Sequence, residues 1–151
     1  MTRTVQELMQ LNGKVALVTG GAGWLGTAMC EALAESGAQV IVASRNIESC
    51  QKLAERLPEN AMAIPLDVNQ EDAIRTCIDQ VVSETGKIDV LVNNAYSGPS
   101  TGLKEATGED FQQSLQTGLT AYFVAAQQAA KHMREQGSHG SIINIASMYG
   151  M

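Results

Sequence analysis

The chain has 151 residues, 44% of them hydrophobic, and a formal net charge of −6. This length fits one domain with a buried core, and an acidic balance without a basic run argues against a nucleic-acid-binding surface. No apolar stretch reaches the length of a membrane span, and the N-terminus lacks the apolar core of a signal peptide. We therefore expect a cytoplasmic protein without nucleic-acid or membrane partners.

Three cysteines, Cys30, Cys50 and Cys77, are scattered along the chain without the spacing of metal ligands. Their odd number argues against a disulfide framework. We expect reduced thiols that are buried in the core, and no metal site.

The first predicted elements surround a glycine-rich stretch. Residues 1–12 are expected to form a short amphipathic arm on the surface, and residues 13–151 a single domain. An apolar run at residues 15–18 predicts a strand, and residues 27–36 have helical spacing. Between them lie four glycines, Gly20, Gly21, Gly23 and Gly26. A strand, a glycine-rich turn and a helix in this order let the backbone approach a phosphate at the positive end of the helix dipole.

Strands and helices alternate through the rest of the chain. Further strands are predicted at residues 39–44, 61–66, 88–92 and 141–146, and helices at residues 46–57, 69–85 and 107–136. Pro65 favours an edge position for the third strand, and Asn69 and Thr107 are predicted to cap the last two helices. The last helix has its apolar stripe at Phe111, Leu115, Leu119, Tyr122, Phe123, Ala126, Ala130 and Met133. Strict alternation predicts an α/β fold, a parallel sheet with helices on both faces.

Polar residues follow the carboxyl end of every predicted strand, the edge at which such sheets bind ligands. Besides the glycines they are Ser44 and Arg45, Asp67, Asn93 and Asn94, and Ser147. Helix capping or turn formation alone explains a single Asp or Asn. Five strand ends in agreement favour a ligand site.

At these strand ends the sequence resembles the short-chain dehydrogenase/reductase family over residues 13–151. Four features carry the resemblance: Thr19-Gly20 with the later glycines, Asp67-Val68, Asn93-Asn94-Ala95, and the run INIAS at residues 143–147. The resemblance implies a Rossmann-type doubly wound parallel sheet, an NAD(P) cofactor and hydride transfer.

The resemblance also implies a role for each matching residue. Asp67 would bond the adenine amino group, Val68 would lie against the adenine ring, and Asn94 and Ala95 would lie along the ribose and back the nicotinamide. Ser147 would be the catalytic serine that orients the substrate carbonyl. The phosphates would be held by Gly20, Gly21, Gly23, Leu25 and Gly26.

The end of the second strand predicts the choice of cofactor. NAD-preferring folds place a carboxylate there for the ribose 2′-hydroxyl, whereas this chain has Ser44 followed by Arg45. A guanidinium suits a 2′-phosphate, so we predict NADP(H), with NAD(H) less favoured. Alternatively, Arg45 is a solvated charge at the start of the next helix.

The chain departs from the family pattern in several places. Trp24 stands where the usual glycine spacing has Gly, Tyr96 follows Asn-Asn-Ala in place of Gly, and Gly118 replaces a helical asparagine that supports a proton relay. The family's Tyr-x-x-x-Lys pair does not occur within the 151 residues. The resemblance places that pair and the last strands past Met151, so we expect an incomplete sheet of five strands whose fifth strand is an apolar edge.

Two functions remain open on this basis. The first is an NADP(H)-dependent oxidoreductase that transfers hydride between nicotinamide and a carbonyl or alcohol substrate, as a homo-oligomer by resemblance. The second is a dinucleotide-binding module or fragment without turnover, because the Tyr-x-x-x-Lys pair is absent from this chain. We expect the 151 residues alone to be inactive. A hydrolase with Ser147 as nucleophile is disfavoured, because no G-x-S-x-G motif surrounds that serine.

Overall fold

A computed structural model describes residues 4–58, 60–98, 101–102, 104–137 and 139–147. Its strands are β1 (Val15–Thr19), β2 (Gln39–Ser44), β3 (Met62–Pro65), β4 (Val90–Asn93) and β5 (Ser141–Asn144). Its helices are α1 (Val5–Met9), α2 (Trp24–Glu35), α3 (Ile47–Ala54), α4 (Glu71–Thr85), α5 (Gly108–Leu115) and α6 (Ala121–Glu135), with a π-helical turn (Gln116–Thr120) between α5 and α6.

All five strands form one parallel sheet in the order β3-β2-β1-β4-β5. The strand order reverses at β1, whose neighbours are β2 and β4. The predicted α/β doubly wound sheet is therefore confirmed. β3 and β5 are its two edges, and Pro65 lies at the end of an edge strand, where its missing N–H costs no ladder bond.

Helices cover both faces of the sheet because alternate residues of the central strands point to opposite sides. Leu17, Ile41 and Leu91 pack against α4 and α6, while Val18, Val42 and Val92 pack against α2 and α3. β1 is buried along its whole length, which explains the continuous apolar run in its sequence.

The cysteines are buried free thiols, as predicted. Cys30 of α2 and Cys50 of α3 are buried in the core on one face of the sheet, and Cys77 of α4 is buried in the core on the other face. Burial raises the pKa of Cys30 and of Cys77 to about 12. These thiols are therefore protonated and unreactive near neutral pH.

The beginning of α4 differs from the prediction. The N-cap is Gln70, which makes no capping side-chain bond, and Asn69 does not cap the helix. The Nδ2 of Asn69 instead donates to Asp67 Oδ1 over 2.9 Å. A local side-chain bond to the preceding turn has displaced the cap by one residue.

The apolar stripe predicted for the last helix is, apart from Met133, not the face that the helix buries. Phe111, Leu115, Leu119 and Phe123 are exposed. The buried face is made of Ala121, Val124, Ala125, Gln128, Ala129 and Met133. The π-helical turn changes the register between α5 and α6, and small alanines let α6 pack closely, so the bulky residues face outward.

The N-terminal arm also differs in detail. Thr4 and Glu7 form a reciprocal capping box that starts α1, but Val5, Leu8 and Met9 of this helix are exposed. Leu11 is the apolar residue of the arm that packs against the core. Its amide also donates to the carbonyl of Ser36 over 2.7 Å, which joins the arm to the end of α2.

Candidate functional site

A cleft of about 480 Å³ lies at the carboxyl ends of β1, β2, β3 and β4. The described residues that line it are Gly20, Ala22, Gly23, Trp24, Leu25, Gly26, Ser44, Arg45, Asn46, Ser49, Leu66, Val68, Asn94, Ala95, Tyr96 and Ser97. Four of the five predicted strand ends therefore border one cleft, and the role of that cleft as a ligand site stays a prediction. Gly21, Asp67 and Ser147 are predicted site residues outside this lining.

The glycines of the loop between β1 and α2 are required by close backbone packing. Gly20 has φ +65°, and a Cβ there would lie 2.9 Å from the Cα of Ala95. A Cβ on Gly26 would overlap the carbonyl oxygen of Gly20, and one on Gly21 would lie 3.0 Å from the carbonyl oxygen of Val18. Only a chain without side chains at these positions can bring the helix end so close to the strand end.

The N-terminus of α2 opens into the cleft without a side-chain cap. Gly23 is the N-cap and offers no side-chain acceptor to the first turn. Trp24, Leu25 and Gly26, whose amides belong to that first turn, all line the cleft. Uncapped amides and the positive end of the helix dipole give this end of the cleft an affinity for anions.

Thr19 joins the glycine loop to the end of β4, a role that sequence reasoning missed. Its buried hydroxyl donates to the carbonyl of Val92 over 3.3 Å and accepts the amides of Asn94 (3.0 Å) and Ala95 (3.1 Å). In the opposite direction, Nδ2 of Asn94 donates to the carbonyls of Thr19 (3.0 Å) and Gly20 (3.2 Å). The Asn94 amide therefore holds the glycine loop, a structural role besides the predicted one along the cofactor ribose.

Arg45 supplies the positive charge of the cleft. It is exposed at the end of β2, and no carboxylate occurs among the described lining residues. Behind it, the Oγ of Ser44 lies 3.0 Å from the Sγ of Cys50, and Asn46 caps α3 by accepting the amide of Ser49 over 3.0 Å. A bound anion at this end would meet a guanidinium and hydroxyl groups, and no carboxylate from the described lining residues.

Asp67 lies beside the cleft, between the lining residues Leu66 and Val68. Its Oδ1 accepts both the backbone amide (3.0 Å) and the Nδ2 (2.9 Å) of Asn69. These bonds form the turn that leads into α4. The turn-forming alternative for Asp67 is thus present in the structure.

Ser147 follows β5 and is exposed. Asn93 pairs with Asn144 across the two strands, and the Nδ2 of Asn93 donates to the Oδ1 of Asn144 over 2.9 Å. The amide of Ile145 then donates to the carbonyl of Asn93 over 2.9 Å. These bonds hold the chain that leads to Ser147 alongside the β4 end of the cleft.

Other kinds of site find little support in the described part of the chain. There, no three His, Cys, Asp or Glu side chains are grouped so that they could hold a metal ion. No helix within the same residues is long and apolar enough to cross a membrane. His132 lies on α6, where its Nε2 pairs with Asp79 of α4, so it is engaged away from Ser147.

A doubly wound parallel sheet with a glycine loop, an uncapped helix N-terminus and a cleft at the switch in strand order defines a Rossmann-type nucleotide-binding fold. The sequence profile of the short chain dehydrogenase family matches residues 14–151. The chain belongs to this family.

Individual relatives agree with this membership. The sorbitol dehydrogenase of Cereibacter sphaeroides is 35% identical over 142 residues, which cover 94% of this chain and 56% of that enzyme. A short-chain type dehydrogenase/reductase from Mycobacterium marinum is 38% identical with a TM-score of 0.89, over 98% of this chain and 61% of that one. The RhlG/NADP active-site complex from Pseudomonas aeruginosa is 30% identical with a TM-score of 0.78, over 84% and 50%. The chain thus spans between half and about three fifths of the length of these relatives.

Proposed function

We propose that this protein is an NADP(H)-dependent oxidoreductase that transfers hydride between nicotinamide and a carbonyl or alcohol substrate. The observation that carries the proposal is the cleft in which the uncapped end of α2 and the Arg45 guanidinium line the same space. That space fits a dinucleotide with an additional phosphate, because its described lining offers amides and a cation and no carboxylate. When bound, the cofactor supplies the hydride chemistry, and the protein supplies orientation.

Each predicted binding residue has a part in this proposal. Leu25 and the glycines Gly20, Gly21, Gly23 and Gly26 would hold the phosphates. Asp67 and Val68 would hold the adenine, and Asn94 and Ala95 would support the ribose and back the nicotinamide. The glycine cradle is the structural support, since a Cβ at Gly20, Gly21 or Gly26 would meet backbone within 3.0 Å.

Arg45 and Ser44 would select NADP(H) over NAD(H). Their position at the end of β2 is the one at which NAD-binding folds hold an acidic residue for the ribose. The choice of NADP(H) is also supported by the similarity of the chain to the RhlG/NADP active-site complex.

Calorimetric titration of NADPH and NADH tests this selection. We expect Arg45→Ala to weaken NADPH binding about tenfold or more and to leave NADH binding nearly unchanged, because only NADPH loses a charge-assisted contact. The matched control is Arg134→Ala, which removes an exposed arginine at the end of α6, outside the cleft. An unchanged affinity for NADPH in Arg45→Ala would contradict the proposal.

Ser147 would orient the substrate by donating a hydrogen bond to its oxygen. In a protein that also holds the family's Tyr-x-x-x-Lys pair, steady-state turnover of NADPH with a ketone should then fall strongly in Ser147→Ala, whereas binding of NADPH should not change. Tight NADPH binding without turnover of any carbonyl compound would instead favour a binding module.

The exposed residues Phe111, Leu115, Leu119 and Phe123 support the proposal that two copies associate. They recur every fourth residue along α5, the π-helical turn and α6, so they form a continuous apolar strip. We also propose a cytoplasmic location for the protein. Light scattering of the purified protein at several concentrations would detect the association of two copies. A monomer at every concentration would contradict it.

A further inference from the structure

Two departures from the family pattern meet in space. Tyr96 follows β4 in place of glycine, and Gly118 stands in the π-helical turn in place of asparagine. A Cβ at position 118 would lie 3.5 Å from both Cδ2 and Cε2 of the Tyr96 ring. The ring therefore lies directly over the position from which a side chain at 118 would project.

A second glycine confines the same ring. A Cβ on Gly98 would overlap the hydroxyl group and the Cζ of Tyr96 and would lie 2.9 Å from its Cε1. Gly98 and Gly118 together form what we call the glycine seat of Tyr96. Neither glycine lines the cleft, whereas Tyr96 lines it with its side chain 60% exposed.

The order of strands indicates which part of a ligand would pass Tyr96. Arg45 follows β2, the glycine loop follows β1, and Tyr96 follows β4, and these strands are neighbours in that order. A dinucleotide with its 2′-phosphate at Arg45 and its pyrophosphate at the loop must continue towards the β4 end. Its nicotinamide half would therefore meet the exposed face of the Tyr96 ring.

We propose that Tyr96 is a specificity-determining residue that contacts the nicotinamide half of the cofactor, and that Gly98 and Gly118 are positioning residues that seat its ring. The inference rests on the proposed NADP(H) function. The exposed face of an aromatic ring in a cleft can stack against a planar group of a ligand. Glycine at both seat positions leaves the space in which the ring lies. A side chain at position 98 would overlap the ring. A Cβ at position 118 would already contact the ring, so the further atoms of an asparagine there would displace it.

The test compares two ligands, NADPH and adenosine 2′,5′-bisphosphate, which lacks the nicotinamide half. We expect Tyr96→Gly, Gly98→Ala and Gly118→Asn each to weaken NADPH about three- to tenfold, the range of an aromatic contact. Binding of adenosine 2′,5′-bisphosphate should not change in any of them. Gly108→Asn, which adds the same side chain where a Cβ meets open space, is the matched control.

Double variants separate positioning from general damage to the fold. In the Tyr96→Gly background, Gly98→Ala and Gly118→Asn should have no further effect on NADPH affinity, because the ring that they displace is gone. Fully additive losses, equal losses for both ligands, or unchanged NADPH affinity in Tyr96→Gly would each overturn the inference. If the wild-type protein binds no NADPH, the proposed function fails together with this inference. If the wild-type protein binds NADPH but the variants give one of the contradicting results, only this inference fails.

Discussion

The hydroxyl of Thr19 makes three hydrogen bonds at the point where the glycine loop leaves the sheet. Replacement by valine keeps the shape of the side chain but leaves the amides of Asn94 and Ala95 without their acceptor. We expect Thr19→Val to lower the free energy of unfolding by about 1–3 kcal/mol, the cost of buried unsatisfied groups. Urea denaturation measures this loss, and Thr19→Ser, which retains the hydroxyl, should restore most of it.

Asp89 is the corresponding polar anchor at the other end of β1. It is buried, and its carboxylate accepts bonds from Lys14 Nζ (2.9 Å) and the amide of Val15 (3.0 Å) and pairs with Lys87 Nζ (3.3 Å). Burial alone would raise the pKa of Asp89, but these bonds outweigh it and lower the pKa below its usual value. A lowered pKa means that the ionised carboxylate stabilises the fold.

The stability that Asp89 contributes is therefore present at neutral pH and is lost as the pH falls below about 4 towards the folded-state pKa. We expect Asp89→Asn to cost about 1.5–3 kcal/mol at pH 7, the worth of hydrogen bonds to a charged group, and to flatten the acid side of the stability profile. Urea denaturation between pH 3 and pH 7 measures both effects. Asp72→Asn, an exposed change on α4, is the control, and an acid slope as steep in Asp89→Asn as in wild type would contradict this role.

At the scale of elements, α2 can reach the loop only because Gly26 has no side chain. Its added Cβ would overlap the carbonyl oxygen of Gly20, so either the loop or the helix must move. We expect Gly26→Ala to cost about 1–3 kcal/mol of stability and to abolish most cofactor binding, as overpacking displaces the cradle. Thermal denaturation and NADPH titration measure the two effects. Gly102→Ala, in open space, should change neither.

Local sequence signals predicted the elements that meet at the cleft. The glycines of the loop and the buried runs of β1 and β2 each dictate backbone geometry by their own chemistry. The same signals could not show which face of α6 is buried. A π-helical turn shifts the helical register before α6, and alanine occurs on buried and exposed helix faces alike. Nor could they show the pairing of Tyr96 with Gly118, which depends on a loop returning to a helix.

At the scale of the whole molecule, one apolar core packs on each face of the sheet, and the cleft lies at the carboxyl ends of its strands. The fifth strand is an exposed edge as expected, with Ile142 36% and Ile143 44% exposed. An open apolar edge of this kind favours pairing with a strand of another chain, or aggregation.

The central claim is that NADP(H) binds in the cleft, and the protein's single tryptophan tests it most directly. Trp24 lines the cleft and is 91% exposed, so bound NADPH would lie close enough to accept its excitation energy. We predict that NADPH quenches Trp24 emission saturably, with sensitised NADPH emission that adenosine 2′,5′-bisphosphate competes away. Quenching that never saturates, or that the competitor leaves unchanged, would contradict the claim.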